Sequence, residues 1–575
     1  MHGAEPGRER RTVRDAAFGV MREYGLTTVF TNPGSTEIPF LTDLPEDLRV
    51  VLGLHEGSVV GMATGWAIAR DRPALVLLHT TAGLGNAVGA LATARVNRAP
   101  LVVLVGQQDR RHLALEPFLT GRLRGMAGDY PVSVAEPARA DDVPAAIARA
   151  HHAAVHERGP ALVVVPMDDW AAPADPAAVR AAPARAVTSA APDDAAVAEV
   201  AALLNAAASP VLVAGAGNDT GAGWAALTVL AERLGCPVYQ EAFAARAGFP
   251  QDHPAFAGML PADRPRLRAL LGGHDTVLAV GAPAFRQYAY TEGPLVRPGT
   301  RVAVVGDDPA QARHSAADLT VVTAIAPFVD RLAERVRARP GGPPGGVPAR
   351  DPASSVAGAP RDSAAARPSG DAGTSPARHP ARPAPGGPPG GAPLDPAHVL
   401  GALAERVTPD TVIVEETPSS RPELHALLPA RRPLGFLSAA MGGLGFAVPA
   451  AIGLRMADPE RPVVAVVGDG SCLYQVQALW SAARYGAGVL FVVLANGRYA
   501  VMDRLAEQHG GKPSWPGFED VSVSALAAGL SCPARRITDW TGLTAALDRA
   551  VPTLAHRTEP LLLDVAVTAG TTFSP

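Results

Sequence analysis

Short continuous apolar runs alternate with longer helical patterns along most of this 575-residue chain. The runs are bounded by Gly or Pro, and stretches with helical spacing, such as 58–70 and 144–156, lie between them. Apolar runs without polar alternation are typical of parallel strands that are buried on both faces. The pattern predicts an α/β protein with three doubly wound parallel-sheet domains in sequence. The predicted strands are 74–78, 101–105 and 162–165 in the first domain, 210–214, 276–280 and 302–305 in the second, and 411–414, 463–467, 489–494 and 561–567 in the third.

One long segment interrupts this alternation. Residues from about 339 to 393 are mainly Pro, Gly, Ala, Ser and Arg, with no Leu, Ile, Met or aromatic residue. Such a composition cannot bury enough apolar surface to offset the entropy that is lost on ordering the chain. We therefore predict an N-terminal domain over 11–185, a middle domain over 190–337, a disordered linker over 338–394 and a C-terminal domain over 395–570.

Composition and charge exclude several classes of function. Hydrophobic residues make up 47% and charged residues 18% of the chain, and the net charge is −4. Because there is no basic excess, neither nucleic acid nor an anionic membrane surface is expected as a partner. The three cysteines are scattered and lack metal-binding spacing, which favours a reducing compartment. Neither a signal peptide nor a run of about 18 apolar residues is present, so we expect a cytoplasmic protein.

The clearest chemical motif follows the predicted strand at 463–467. This strand leads into Gly-Asp-Gly-Ser at 468–471, and Asn496 follows 27 positions after Asp469, at the end of the next strand. Carboxylate and amide oxygens at strand ends, beside the start of a helix, suit a Mg²⁺ ion that holds a diphosphate. A solvated turn is the alternative, because Gly and Asp are ordinary turn residues after a strand. The order strand, turn, helix, strand favours the metal site.

Three polar side chains of the first domain also fall at the ends of predicted strands. Ser35 lies in an Asn-Pro-Gly-Ser turn, Glu56 follows a strand and opens a helix, and His79 caps the strand at 74–78. Each has an ordinary structural explanation. These explanations are a hydroxyl in a turn, an acid at a helix N-terminus, and a structural histidine whose ring nitrogens have hydrogen-bond partners. Because ligands of open α/β sheets bind at the carboxyl ends of the strands, the convergence of all three favours a catalytic site.

A dinucleotide site is a weaker hypothesis for the middle domain. The turn Gly215-Ala216-Gly217 follows the predicted strand at 210–214, but Gly221 falls one position late for a G-x-G-x-x-G fingerprint. No acidic residue stands convincingly at the distance that a ribose contact needs. We interpret this sequence as a plain strand-to-helix turn.

Together these segments resemble the thiamine diphosphate-dependent decarboxylase and acetolactate synthase superfamily, and within it the benzoylformate decarboxylase family. Besides the Gly-Asp-Gly-Ser and Asn-Pro-Gly-Ser motifs, the resemblance rests on HEG at 55–57, LHTTAGLGN at 78–86 and SAAMGGLGFAVPAAIG at 438–453. It covers most of the chain apart from the linker. It implies thiamine diphosphate and Mg²⁺ as cofactors and a small-molecule 2-oxo acid as the substrate.

The resemblance implies catalytic roles for three residues of the first domain. Glu56 matches the glutamate that hydrogen-bonds the aminopyrimidine ring and promotes loss of the thiazolium proton. Ser35 and His79 match residues that hold the substrate carboxylate and handle protons around the intermediates.

The resemblance also implies a set of residues that hold the cofactors. Mg²⁺ would be bound by Asp469, Asn496 and the backbone carbonyl of Arg498. Leu444 matches an apolar wedge that folds the cofactor into a bent form. The implied cofactor-binding residues are Asn32, Glu56, Ser419, Gly442, Leu444, Gly468, Asp469, Gly470, Ser471, Tyr474, Asn496 and Tyr499.

Several positions depart from the family pattern, and they concern the substrate more than the cofactor. Tyr288 stands where benzoylformate decarboxylases have a second active-site histidine, and Ala495-Asn496 replaces a double asparagine. Val501, Met502 and Leu505 occupy positions that are expected to line the substrate pocket, with Leu505 in place of an aromatic residue.

We therefore expect an enzyme that decarboxylates a 2-oxo acid non-oxidatively, with an aromatic acid favoured as the substrate. In the superfamily the cofactor lies between subunits, which implies a homodimer or homotetramer.

An acetolactate synthase-type carboligase is the nearest alternative, although such enzymes typically lack a histidine at the position of His79. A non-catalytic scaffold is another, and the retention of Glu56, Asp469 and Asn496 argues against it. A nicotinamide-dependent oxidoreductase comes last.

Overall fold

The residues that the structure describes form three six-stranded sheets, and all strand pairings within them are parallel. The computed structural model describes residues 11–175, 182–183, 185–186, 191–339, 387–388 and 391–569, so the predicted linker lies mostly outside the described residues. One compact unit holds the first and third sheets, and a second holds the middle sheet. The predicted fold class, three doubly wound parallel-sheet domains, is confirmed.

The first sheet is formed by β1 (Thr28–Asn32), β2 (Arg49–Leu52), β3 (Ala74–His79), β4 (Leu101–Gln107), β5 (Ser133–Ala135) and β6 (Pro160–Pro166). Its strand order is β2-β1-β3-β4-β6-β5. The strands β4 and β6 are buried along their whole length, which is why their sequences are continuous apolar runs. The α-helices in the described part of this domain are Val13–Glu23, Ile38–Leu41, Glu56–Arg70, Thr80–Val96 and Val143–Glu157.

The middle sheet is formed by β7 (Pro210–Ala214), β8 (Val238–Gln240), β9 (Phe256–Met259), β10 (Thr276–Val280), β11 (Arg301–Gly306) and β12 (Leu319–Val322). The order β12-β11-β10-β7-β8-β9 is that of dinucleotide-binding folds. The glycine turn after β7 is nevertheless closed, because the amides of Gly215 and Gly217 already donate to the carbonyls of Val280 (3.0 Å) and Gly281 (2.9 Å). The α-helices here are Asp194–Ala206, Gly221–Leu234, Arg264–Leu270, Pro309–Arg313 and Ile325–Arg335.

The third sheet is formed by β13 (Val412–Glu416), β14 (Phe436–Ser438), β15 (Val463–Gly468), β16 (Leu490–Ala495), β17 (Ala534–Ile537) and β18 (Leu561–Ala566). Its order, β14-β13-β15-β16-β18-β17, repeats the connectivity of the first sheet strand for strand. The strand β15 therefore corresponds to β3. The α-helices are Pro396–Ala404, Arg421–Leu427, Ala447–Ala457, Asp469–Leu473, Ala478–Tyr485, Ala500–Gln508, Val523–Gly529 and Trp540–Ala550.

The first and third domains pack through the helices Glu56–Arg70 and Ala447–Ala457. A Cβ atom added to Gly65 would lie 2.0 Å from the carbonyl oxygen of Ala450, and one added to Gly453 would lie 1.8 Å from that of Met62. The two helix backbones can approach this closely only because both positions are glycine. No helix in the described part of the chain is long and apolar enough to cross a membrane.

Candidate active site

The carboxylate of Glu56 is held between two amide groups. Glu56 follows β2 and begins its helix after His55, whose ring Nδ1 accepts a hydrogen bond from the amide of Gly57 (3.0 Å). The Glu56 side chain is 7% exposed, and its Oε1 accepts from Asn32 Nδ2 (3.1 Å) while its Oε2 accepts from Asn86 Nδ2 (3.0 Å). One donor comes from the end of β1 and the other from the helix after β3. The carboxylate is thus fixed at the carboxyl edge of the first sheet.

His79 ends β3 and contacts a second buried carboxylate. Its Nδ1 lies 3.1 Å from Glu37 Oε2 and 2.9 Å from Thr36 Oγ1. Glu37 is 1% exposed, its Oε2 also accepts from the amide of Gly34 (2.7 Å), and its Oε1 accepts from the hydroxyl of Thr36. An acceptor at Nδ1 favours the tautomer that carries its proton there, which leaves Nε2 for other partners.

Two glycines make room for this carboxylate–histidine pair. A Cβ atom at Gly34 would lie 2.3 Å from the ring of His79, and one at Gly106 would lie 1.8 Å from Glu37 Oε1. Ser35 stands between Gly34 and Thr36 and is exposed to solvent. The pair is therefore closely packed, and the predicted serine lies in the turn next to it.

The glutamate and histidine clusters lie at neighbouring strand ends. Asn32, a donor to Glu56, is the register partner of Leu78, the residue before His79. Of the three catalytic residues predicted for the first domain, the structure thus brings Glu56 and His79 to one edge, with Ser35 in the adjacent turn.

The predicted metal motif lies at the corresponding edge of the third sheet. Asp469 follows β15 and Asn496 follows β16, and the register pairs Gly468 with Leu494. The Asp469 carboxylate accepts from the amides of Gly470 (2.8 Å) and Gly497 (2.6 Å), and Asn496 Oδ1 accepts from the amide of Arg498 (3.1 Å).

Burial raises the pKa of the Asp469 carboxyl, against the lowering effect of the backbone amides around it. A divalent cation beside this group would offset the cost of burying its charge. Carboxylate and amide oxygens on adjacent strand ends are a donor set that fits Mg²⁺.

The remaining predicted residues of this motif surround the same turn. Ser471 is buried, whereas Tyr474, Arg498 and Tyr499 are exposed. A Cβ atom at Gly470 would lie 2.7 Å from the ring of Tyr499, so this position must be glycine for the tyrosine to cover the turn. The tyrosine ring in turn packs on Phe518, with the ring centroids 5.0 Å apart. The guanidinium Nε of Arg498 pairs with Asp503 Oδ2 at 3.0 Å.

The glycine-rich segment 442–445 forms a tight turn before the helix Ala447–Ala457. Gly442 and Gly445 have φ values of +74° and +91°, which L-residues with a side chain rarely adopt. Leu444 is half-buried between them, and Ser419 is half-buried beyond the end of β13. This geometry allows backbone to approach a ligand closely at 442–445.

Sequence reasoning missed several polar residues that hold these side chains in place. Their common feature is a contact with a predicted site residue, or with the segment 442–445, from a distant part of the chain. Only one of them had a signal in the sequence. Two consecutive acids, at 415–416, end an apolar strand, and a pair of acids in that position indicates buried carboxylates. The missed residues are Thr36, Glu37, Asn86 and Glu416.

Tyr288, at the position of the family's second histidine, belongs to the unit of the middle sheet. Its side chain is 55% exposed, and its backbone amide donates to the carbonyl of Ala262 (3.1 Å).

Three family models match the chain. The N-terminal TPP binding domain of thiamine pyrophosphate enzymes matches residues 11–127, the central domain matches 197–332, and the C-terminal TPP binding domain matches 419–565. A benzoylformate decarboxylase from Pseudomonas aeruginosa is 38% identical over 566 residues, which cover 96% of this chain and 98% of the relative. An acetolactate synthase isozyme 1 large subunit from Escherichia coli is 23% identical, with 96% and 95% covered.

Solved structures agree with these sequence matches. A thiamine diphosphate-dependent 4-hydroxybenzoylformate decarboxylase from Rhodococcus jostii superimposes with a TM-score of 0.86 at 33% identity, covering 98% of this chain and 100% of that one. A benzoylformate decarboxylase from Polynucleobacter necessarius gives a TM-score of 0.85 at 31% identity, with 98% and 99% covered. The chain therefore belongs to the thiamine diphosphate-dependent enzymes, as its motifs predicted, and within that family it is similar to the benzoylformate decarboxylases.

Proposed function

We propose that this enzyme removes CO₂ from an aromatic 2-oxo acid of the benzoylformate type and releases the aldehyde. The observation that carries the proposal is the Glu56 carboxylate, buried and held by two amides at the carboxyl edge of the first sheet. Thiamine diphosphate supplies, when bound, the electron sink that such a decarboxylation needs. The substrate class proposed for this enzyme is supported by the similarity of the chain to benzoylformate and 4-hydroxybenzoylformate decarboxylases.

The chain's own residues then have distinct tasks. Glu56 would contact the aminopyrimidine ring and hold or release a proton at its carboxyl oxygen, a role that suits a carboxyl group shielded from water. Asp469, Asn496 and the carbonyl of Arg498 would hold Mg²⁺, and the segment around Gly442 and Leu444 would form the wall against the pyrimidine ring. The remaining cofactor contacts predicted from the sequence belong to the same proposal.

His79 and Ser35 are assigned to the substrate. With its Nδ1 engaged by Glu37 and Thr36, the His79 ring presents Nε2 for proton transfer. The solvent-exposed hydroxyl of Ser35 is available to bind the substrate carboxylate. Both assignments rest on the resemblance to the family and on the geometry of the turn that contains Ser35.

A homodimer or homotetramer in the cytoplasm is part of the proposal. Leu115 and Phe118 are 82% and 87% exposed, and apolar side chains left so open are suited to a subunit interface. All three cysteines, Cys236, Cys472 and Cys532, are buried free thiols, which suits a reducing compartment.

The purified protein with thiamine diphosphate and Mg²⁺ is expected to release CO₂ from benzoylformate at least about 100-fold more efficiently than from pyruvate. The reason is the similarity to aryl decarboxylases together with the histidine at position 79, which carboligases of the acetolactate synthase type typically lack. The measurement is kcat/KM for CO₂ release, with the aldehyde identified as the product. Preference for pyruvate with acetolactate formed would favour the carboligase instead.

Glu37→Gln is expected to lower kcat/KM for the preferred substrate about 10- to 100-fold, the loss that is typical when a metal-bound histidine loses its orienting partner. A glutamine that offers its oxygen to His79 Nδ1 turns its NH₂ group toward Thr36, whose hydroxyl must then accept a hydrogen bond instead of donating one. A double-mutant cycle with His79→Ala separates this effect from general damage. In the His79→Ala background, Glu37→Gln should cost little more, whereas an equal loss in both backgrounds would show that Glu37 acts independently of His79.

A further inference from the structure

The helix Ala447–Ala457 begins without a cap from its own sequence. Phe446 occupies the N-cap position and has no side chain that can accept a hydrogen bond from the first turn. The first amides of a helix have no intrahelical partners, and buried amides must find acceptors elsewhere. Gly442 and Gly445, both with positive φ, lead into this unsupported start.

The acceptor comes from a different strand. Glu416, the last residue of β13, accepts from the amide of Gly445 through Oε1 (2.6 Å) and from those of Phe446 (2.8 Å) and Ala447 (2.7 Å) through Oε2. Its side chain is 3% exposed. Burial raises the pKa of this carboxyl to about 7, although the three amide donors pull the pKa down. One carboxylate therefore binds three consecutive backbone N–H groups at the end of the glycine-rich turn.

The helix that Glu416 caps also packs on the helix that starts at Glu56. Gly453 and Gly65 set the close contact between these helices. At Gly445 an added Cβ would lie 2.8 Å from Cγ of Gln475, whose Oε1 accepts from the hydroxyl of Ser58 (2.6 Å). Gly445, the last residue of the turn 442–445, is thus held by Glu416 and packed against Gln475.

We propose that Glu416 is a positioning residue for the cofactor. Glu416 holds the turn 442–445 in the shape that receives the pyrimidine ring. This role rests on the proposed function, which places Gly442 and Leu444 at that ring. It differs from a general structural role, because loss of Glu416 should affect binding of the ring and leave the diphosphate end unchanged.

Glu415 provides a matched control. It is the neighbouring residue of the same strand and is fully buried, but its carboxylate accepts from the amide of Thr417 (2.6 Å) and the hydroxyl of Ser438 (2.8 Å) and pairs with Arg421 (2.9 Å). These partners lie outside 442–447. Glu415→Gln therefore removes a buried charge of the same strand without touching the turn.

The first test is amide hydrogen exchange of the protein without cofactor. Glu416→Gln is expected to speed exchange of the Gly445 amide, or of the Phe446 and Ala447 amides, at least about 10-fold, because the NH₂ group of glutamine replaces one of the two accepting oxygens. Glu415→Gln should leave these amides within about 2-fold of the wild type. Unchanged protection at 445–447 in Glu416→Gln would overturn the proposal.

The second test compares two ligands in the presence of Mg²⁺. Glu416→Gln is expected to raise the Kd for thiamine diphosphate about 10- to 100-fold and that for inorganic pyrophosphate less than about 3-fold. If both affinities fell equally, Glu416 would be a general structural residue and the proposal would be wrong. Glu416→Asp, which keeps the charge but is one methylene shorter, should show the same selectivity with a smaller effect should the glutamine variant fold poorly.

Binding of thiamine diphosphate to the wild-type protein separates a failure of the proposed function from a failure of the positioning role alone. If the wild-type protein does not bind thiamine diphosphate, the proposed function fails and the positioning role with it. If the wild type binds tightly and Glu416→Gln binds equally well, only the positioning role is overturned.

Discussion

Glu56→Gln is expected to slow proton–deuterium exchange at the thiazolium carbon of bound thiamine diphosphate about 10²- to 10⁴-fold, the usual contribution of a positioned acid–base group. Glutamine keeps the size of the side chain and can still accept one amide hydrogen bond from Asn32 or Asn86. It cannot gain or lose a proton. Exchange measured by quenching in acid and NMR of the released cofactor reports this step without any substrate.

Glu37→Gln is the matched control for this experiment. Glu37 is as deeply buried as Glu56 and belongs to the same sheet edge, but its carboxylate contacts His79, Thr36 and Gly34. The control should therefore leave thiazolium exchange within about 3-fold of the wild type while it lowers turnover. Equal exchange rates in Glu56→Gln and the wild type would contradict the assignment of Glu56.

The central strands of the fold were predictable because they are buried on both faces. Continuous apolar runs identified β3, β4, β6, β7, β10, β11, β13, β15, β16 and β18 to within two residues at either end. The strands before Ser35 and Glu56, β1 and β2, were predicted without full bounds, whereas β5, β8, β9, β12, β14 and β17 were missed. All of the missed strands except β8 lie at the edge of a sheet, all are three or four residues long, and several are half-exposed, so they leave no continuous apolar run.

The candidate site was predictable where chemistry and turn geometry share one short motif. Asp469 and Glu56 stand at strand ends before helices, and such positions can be read from local sequence. The partners of these residues could not be read in this way. Asn32 and Asn86 reach Glu56 from 24 and 30 residues away, and Glu416 reaches the turn before Ala447 from about 30 residues away. Such contacts are set by strand order and register, which the local pattern does not determine.

The repeated connectivity of the first and third sheets gives the candidate residues of both domains the same topological position. His79 ends β3 in the first sheet, and Asp469 follows the corresponding strand β15 in the third. Both residues stand at the carboxyl ends of their strands, and ligands of open α/β sheets bind in the crevice outside these ends. Under the proposed function, the same topological position would serve proton transfer in the first domain and metal binding in the third.

Asp469→Asn is expected to weaken Mg²⁺-dependent binding of thiamine diphosphate at least about 100-fold, since loss even of an outer-shell partner of a metal commonly costs 10- to 100-fold. The substitution removes the charge that the cation would neutralise. It also turns an NH₂ group toward the amide of Gly470 or of Gly497, each of which now donates to a carboxylate oxygen. The substitution therefore changes both the proposed metal-binding carboxylate and the turn that holds it.

The measurement is the Kd for thiamine diphosphate at a fixed Mg²⁺ concentration, together with the rise in melting temperature that saturating cofactor produces. Asp564→Asn is the control, because Asp564 is a fully buried carboxylate of the same sheet that pairs with Arg536 and accepts from the amide of Ser524 (3.1 Å). Its loss should lower the melting temperature of the protein without cofactor and leave the Kd within a few-fold of the wild type. If Asp469→Asn instead bound the cofactor as tightly as Asp564→Asn does, Mg²⁺ would have to be held by other oxygens, and the reading of the Gly-Asp-Gly-Ser motif as a metal site would be wrong.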